Sequence, residues 1–233
     1  MTDGPAPGGG IFIGIDTSQH HSGNNSLRVI GGDTCGYYAI NTSAFSKLGD
    51  QVYARFYALF SGSANGPDAG VATQNHNGFL SMYSGAPSGT DPNFYNDYNA
   101  GTATGGQLRI GSQAGVLDWN NLIPHSMPDS TLPDLDTPGE MESIDPTANQ
   151  WNCFEFHIDQ TNGHIEFWFN GASVAGLSWD GSNVTEINDQ WYSKGPPVPL
   201  TLQSFGLGWL GLSVAETAWY DDVALANCRI GCE

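Results

Sequence analysis

The chain has 233 residues and a formal charge of −18, from 24 Asp and Glu against 6 Lys and Arg. Nucleic acid and anionic membrane surfaces are held by clustered cations, and the cations here are scattered, which excludes both as default partners. A hydrophobic share of 39%, with 12% aromatic residues, is enough for a buried core, and no apolar run approaches the roughly eighteen residues of a membrane span.

The first ten residues, MTDGPAPGGG, read as a flexible lead with no charged-then-apolar signal region. IFIGIDT (11–17) and SLRVIGG (26–32) then alternate apolar and polar residues, the period of a half-buried strand, and SQHHSGNN between them has turn composition. Further alternating runs follow at 51–62, 71–83 and 106–113. Residues 84–106 read as an exposed loop carrying Phe94, Tyr95 and Tyr98. Residues 118–150 read as a second long loop, with five Pro, seven Asp and Glu, and no Lys or Arg. WNCFEFHI and HIEFWFNG, joined across Asn162-Gly163, form the clearest hairpin, and segments 200–210 and 218–228 close the chain. Windows rich in Ala, Leu, Glu and Lys are missing. The expected fold is all-β: a β-jelly roll sandwich of two antiparallel sheets, a single domain over 1–233, with a ligand groove across one face.

Strand periodicity gathers the candidate chemistry. Gln107, Arg109, Gly111 and Gln113 alternate along one segment and therefore share a face. Arg109 is the only Lys or Arg between Arg55 and Lys194. Its planar guanidinium, flanked by amides, suits a carboxylate or sugar hydroxyls, although pairing with an acid of the long loop would use it equally well. His76 shares strand parity with Gln74 and is placed for sugar binding or proton transfer. In the hairpin, Cys153, Glu155 and His157 share one face of their strand and Glu166 and Trp168 one face of the partner strand, and two carboxylates and a Trp on one sheet face fit either a glycosidase cleft or an ordinary outer sheet surface. Asp221-Asp222, together with the turn Ser22 to Asn25, offers the hard oxygen ligands that calcium prefers. No nucleophile elbow, zinc helix, phosphate loop or dinucleotide turn is present.

Four cysteines, Cys35, Cys153, Cys228 and Cys232, contain no metal-type CxxC pair and permit three disulfide pairings. Two bridges and an oxidising compartment are one reading; four free buried thiols are the other.

Four ordered motifs, HSGNNSLRVIGG, LRIGSQAGVLDWN with TLPDL downstream, CFEFHIDQTNGHIEFWFNG and WYDDVALANCRIGC, resemble the fungal Cip-type cellulose-induced secreted proteins and their bacterial relatives. The resemblance implies a jelly roll similar to glucuronan and alginate lyases, with a bound calcium ion and a polysaccharide groove. It implies Arg109 and Gln113 as groove catalytic residues and His76 as a looser match, with Gln107, Gln74 and Asp118 as substrate-binding positions. Calcium falls to Asp222, Ser22 and Asn25. It also implies a Cys153–Cys232 bridge and, for the remaining cysteines, Cys35 with Cys228. The chain departs from the family in three places. The opening Asp-Asp-Phe-Glu strand that supplies a calcium-ligating Glu has no counterpart before Gly10. Gln107 stands where the family has a groove His, and a Tyr is replaced in GWLGLS, so Tyr95 or Tyr98 is expected to restore the phenol.

The expectation is therefore a secreted, monomeric, calcium-binding lyase acting on uronate-containing polysaccharide. Non-catalytic binding of plant or algal polysaccharide is the alternative, and a glycoside hydrolase using Glu155 and Glu166 the third reading.

Overall fold

The computed structural model describes residues 12–31, 36–41, 43–44, 47–61, 76–83, 107–113, 116–120, 146–162, 164–174, 178, 202, 204–211 and 216–233. In chain order its strands are β1 (Phe12–Asp16), β2 (Ser26–Gly31), β3 (Gly36–Asn41), β4 (Gln51–Phe60), β5 (His76–Tyr83), β6 (Gln107–Gln113), β7 (Val116–Asn120), β8 (Asn152–Asp159), β9 (His164–Phe169), β10 (Ala172–Ser173), β11 (Ser204–Gly211) and β12 (Glu216–Ala226). β5, β6 and β7 are described by their backbone pairing.

Seven strands form one antiparallel sheet in the order β1-β2-β12-β4-β8-β9-β10, and five form the other in the order β3-β11-β5-β6-β7. The arrangement is a jelly-roll sandwich, and non-consecutive neighbours such as β12 between β2 and β4 give it long-range connectivity. Alternation decides which face each strand buries. On β4, Val52, Ala54 and Phe56 are buried while Gln51, Tyr53 and Arg55 lie on the outer side. On β8, Phe154, Phe156 and Ile158 face inward, opposite Phe169, Phe167 and Ile165 of β9.

The core lies between the sheets. Phe56, Phe60, Phe154, Phe156 and Phe167 come from the larger sheet, and Phe205, Leu207 and Trp209 from β11 of the smaller one. Phe56 stacks on Phe154 with centroids 5.1 Å apart and meets Phe205 edge-on at 6.5 Å. Each such ring contributes about 1.5–3 kcal/mol through removal from water. Gly31 of β2 allows the sheets to meet where Trp209 lies: a Cβ there would fall 1.9 Å from the indole Cδ1. The buried Tyr220 hydroxyl crosses the sandwich to donate to the Gly208 carbonyl.

Three strands, β3, β7 and β10, were not expected from the sequence. Asp118 and Asn120, assigned above to the start of a long loop, close β7 instead, where Asp118 pairs with Gly111 and Asn120 with Arg109.

Candidate functional site

The residues most suited to polysaccharide chemistry fall on β5, β6 and β7, and β11 tells which way their faces point. Phe205, Leu207 and Trp209 pack into the core, so Ser204, Gly206 and Gly208 belong to the outer face of the smaller sheet. Register then carries that face across the sheet. Gly206 pairs with Ser81, Ser81 with Arg109, and Arg109 with Asn120, giving one row. Ser204, Tyr83 and Gln107 form a second row. Gly78, Gly111 and Asp118 form a third, and His76, Gln113 and Val116 a fourth.

Gln107, Arg109, Asp118, Gln113 and His76 thus occupy positions on one face, away from the core. Two irregularities, between Gly78 and Leu80 of β5 and between Leu207 and Leu210 of β11, each insert a residue and re-phase the strands so that these positions coincide. Gln113 is directly opposite His76, about 4.5–5.5 Å away between Cα atoms, while Arg109 lies about 13 Å further along β6. Glycine and serine occupy the intervening register positions 78, 81, 111, 204 and 206, and of these Ser204 and Gly206 are buried. Gln74, Tyr95 and Tyr98 lie outside the described residues.

A second polar cluster is built where β12 passes the turn after β1. A bulge between Asp221 and Ala224 interrupts the pairing of β12 with β4, and Asp222 within it has a φ of 47°, a left-handed conformation that non-glycine residues adopt at a cost. The carboxylates are thereby turned toward the turn. Asp221 Oδ2 accepts the backbone N–H groups of His21 and Ser22 at 2.7 and 3.0 Å. The Ser22 hydroxyl donates to Asp222 Oδ1 at 2.5 Å, and His21 Nδ1 lies 2.6 Å from Asp222 Oδ2. The Ser22 hydroxyl, assisted by His21 and opposed by desolvation, holds the Asp222 carboxyl below its ordinary value of 3.8. Of the expected calcium residues, Ser22 and Asp222 meet. Among the described residues no three His, Cys, Asp or Glu side chains converge as a metal-binding group. The Asp222 carboxylate and the Ser22 hydroxyl are hard oxygen donors of the kind calcium takes, and here they are matched to each other and to His21.

The hairpin carboxylates serve another purpose. Glu155 is fully buried, and its Oε1 accepts the N–H groups of Ile230 and Gly231 at 2.8 and 2.9 Å, with Arg229 Nε 3.5 Å from Oε2. It is sealed beneath the C-terminal tail, which excludes the glycosidase pairing of Glu155 with Glu166. Glu166 instead meets His157 Nδ1 at 2.9 Å, and the other ring nitrogen lies 2.6 Å from Gln51 Oε1.

Cys153 and Cys232 form a disulfide. Cys228 is an exposed thiol outside any disulfide among the described residues, and Cys35, its expected partner, lies outside the described residues.

Two antiparallel sheets in this strand order define an all-β jelly roll. A family model described as the core domain of Cip1-like, polysaccharide-lyase-like proteins matches residues 93–228, more than half of the chain, and the chain belongs to that family. Among solved structures it is similar to the cellulose-induced protein Cip1, with a TM-score of 0.68 and 28% identity, over 96% of this chain and 89% of that one. It is also similar to an endo-beta-1,4-glucuronan lyase from the fungus Trichoderma reesei, with a TM-score of 0.51 and 13% identity over 94% and 87% of the two chains, a likeness of fold alone. No curated protein matches the chain in sequence.

Proposed function

We propose that this is an extracellular, monomeric protein that binds uronate-containing polysaccharide along the outer face of its five-stranded sheet and cleaves it by β-elimination. The observation that carries the reading is the backbone register that aligns the positions of Gln107, Arg109, Gln113, Asp118 and His76 on one face. The Cys153–Cys232 bridge supports the compartment, because such bonds persist where the surroundings oxidise.

In the proposed reaction Arg109 pairs with the uronate carboxylate and, with Gln113, stabilises the charge that develops as the neighbouring C5 proton leaves. His76 takes that proton, the C4–O glycosidic bond breaks, and the departing oxygen receives a proton from Tyr95 or Tyr98. Gln107, Gln74 and Asp118 contact flanking sugar hydroxyls. Calcium is proposed as a structural ion at Asp222 and Ser22, with Asn25 from the same turn.

A second reading, non-catalytic binding of a plant or algal polysaccharide, is favoured by the net charge of −18, which opposes a polyanionic substrate. The experiment is ultraviolet absorbance of unsaturated product on glucuronan, alginate, pectate and ulvan, with Arg109→Ala as the comparison. Product that disappears in the variant supports the lyase. Absence of product on every polymer, with pull-down on the same polymers retained, assigns the binding role instead.

A further inference from the structure

The cation cluster and the C-terminal tail are far apart in sequence, yet they meet on one register row. Tyr57 of β4 lies directly between Asp221 of β12 and Cys153 of β8. Its ring stacks on His21 with centroids 3.7 Å apart and planes 15° off parallel, and His21 is the residue that meets Asp222 Oδ2. Its hydroxyl donates to the Glu233 carbonyl at 2.6 Å, one residue beyond the disulfide cysteine Cys232. Arg55, two residues earlier on the same face, forks between the same two places. One guanidinium nitrogen donates to the Asp222 carbonyl and the other to the Gly231 carbonyl, each at 3.2 Å.

We infer that the C-terminal tail, fastened by the Cys153–Cys232 bridge, is the outer support of the cation site, with Arg55 and Tyr57 as its positioning residues. The inference rests on the calcium reading given above. Its physical basis is the left-handed Asp222: a residue at a φ of 47° keeps that geometry only where its surroundings over-determine it. Ser22 restrains it from the turn, the Asp221 carboxylate accepts its N–H within β12, and Arg55 holds its carbonyl from the tail side. The stack of Tyr57 on His21 fixes the imidazole that flanks the Asp222 carboxylate. Releasing the tail removes an acceptor from each positioning residue at once, so the bridge controls how firmly an ion is held without touching it.

The test is calorimetric titration of calcium chloride into chelator-treated wild type, Tyr57→Phe and the Cys153→Ser/Cys232→Ser pair, with near-ultraviolet dichroism to confirm folding. Outer supports of metal sites typically change affinity by about 10–100-fold, so a Kd roughly tenfold weaker is expected in both variants. Ile158→Val, a core change remote from the tail, is expected to keep wild-type affinity and so separates support from general loosening. Wild type that binds no calcium overturns the calcium reading and this inference with it. Wild type that binds, beside a Tyr57→Phe protein of equal affinity, overturns this inference alone. Tyr57→Phe removes a single hydroxyl and decides the matter even where the cysteine pair variant does not fold.

Discussion

At Glu155 the sequence placed a carboxylate on an outer sheet face, and the structure buries it completely. The two backbone N–H groups and Arg229 that surround it come from a segment about seventy residues later, so local periodicity had no means of reporting them. Glu155→Gln keeps the volume but removes the charge that those donors face, and is expected to destabilise by about 2 kcal/mol in urea unfolding. Arg229 is about half exposed and also lies over the Trp168 ring at 4.4 Å, so Arg229→Ala is expected to cost less, about 1 kcal/mol. Equal losses in the two variants would contradict the view that burial, rather than the ion pair, sets the cost. Asp159 shows the opposite case, a partly exposed carboxylate that organises its own turn. Desolvation opposes its ionised form, but donors from Asn162, Gln51 and Thr161 prevail and hold its carboxyl below 3.8. A folded value below the unfolded one means that its contribution is present above about pH 4 and is lost as pH falls through the folded value. Asp159→Asn is therefore expected to lower stability at pH 6 and to converge with wild type as pH falls below the folded value, as read from denaturation midpoints.

Strands were legible in the sequence wherever alternation was long and bounded by turn residues, as in β8 and β9, where one face is aromatic and the other polar. β3 and β7 were missed for a physical reason: GYYAIN does not alternate cleanly, and VLDWN alternates over only five residues before the acidic, proline-rich stretch, so their pairing comes from neighbours as much as from their own pattern. The parity of Gln107, Arg109 and Gln113 was readable from spacing alone. Their alignment with His76 was not, because it depends on the irregularity between Gly78 and Leu80. Contacts between elements supply two further expectations. Gly31→Ala would drive a methyl into the Trp209 indole at the meeting of β2 and β11, where neither backbone nor ring is free to yield. A loss of about 1–3 kcal/mol is expected in thermal or urea unfolding. The Cys153–Cys232 bridge closes a separation of 79 residues and ties β8 to the tail. By chain entropy, its removal by Cys153→Ala/Cys232→Ala is expected to cost about 4 kcal/mol, and a loss below about 1 kcal/mol would show that the non-covalent tail contacts suffice.

Taken as a whole, the molecule presents a strongly acidic surface while the proposed ligand is itself a polyanion. The charge of −18 is spread over a chain with only six Lys and Arg, so the single cation at Arg109 attracts a uronate within a field that opposes it. These two influences differ in range. A paired carboxylate and guanidinium interact within a few ångströms, whereas repulsion between two polyanions is carried over longer distances and is screened beyond about 8 Å at physiological ionic strength. Raising salt from about 10 mM, where the screening length is about 30 Å, therefore weakens the repulsion before it weakens the local pair. Affinity for a uronan is expected to rise with salt to a maximum near 0.1–0.2 M, the reverse of what clustered cations give with a polyanion. A neutral glycan held by stacking and amide hydrogen bonds would bind with little dependence on salt. Measuring Kd for glucuronan and for xylan across that range discriminates the two. Monotonic weakening on glucuronan would place its binding on a basic patch that the composition does not provide, while a flat response on both polymers would favour recognition of uncharged sugar faces over the uronate carboxylate.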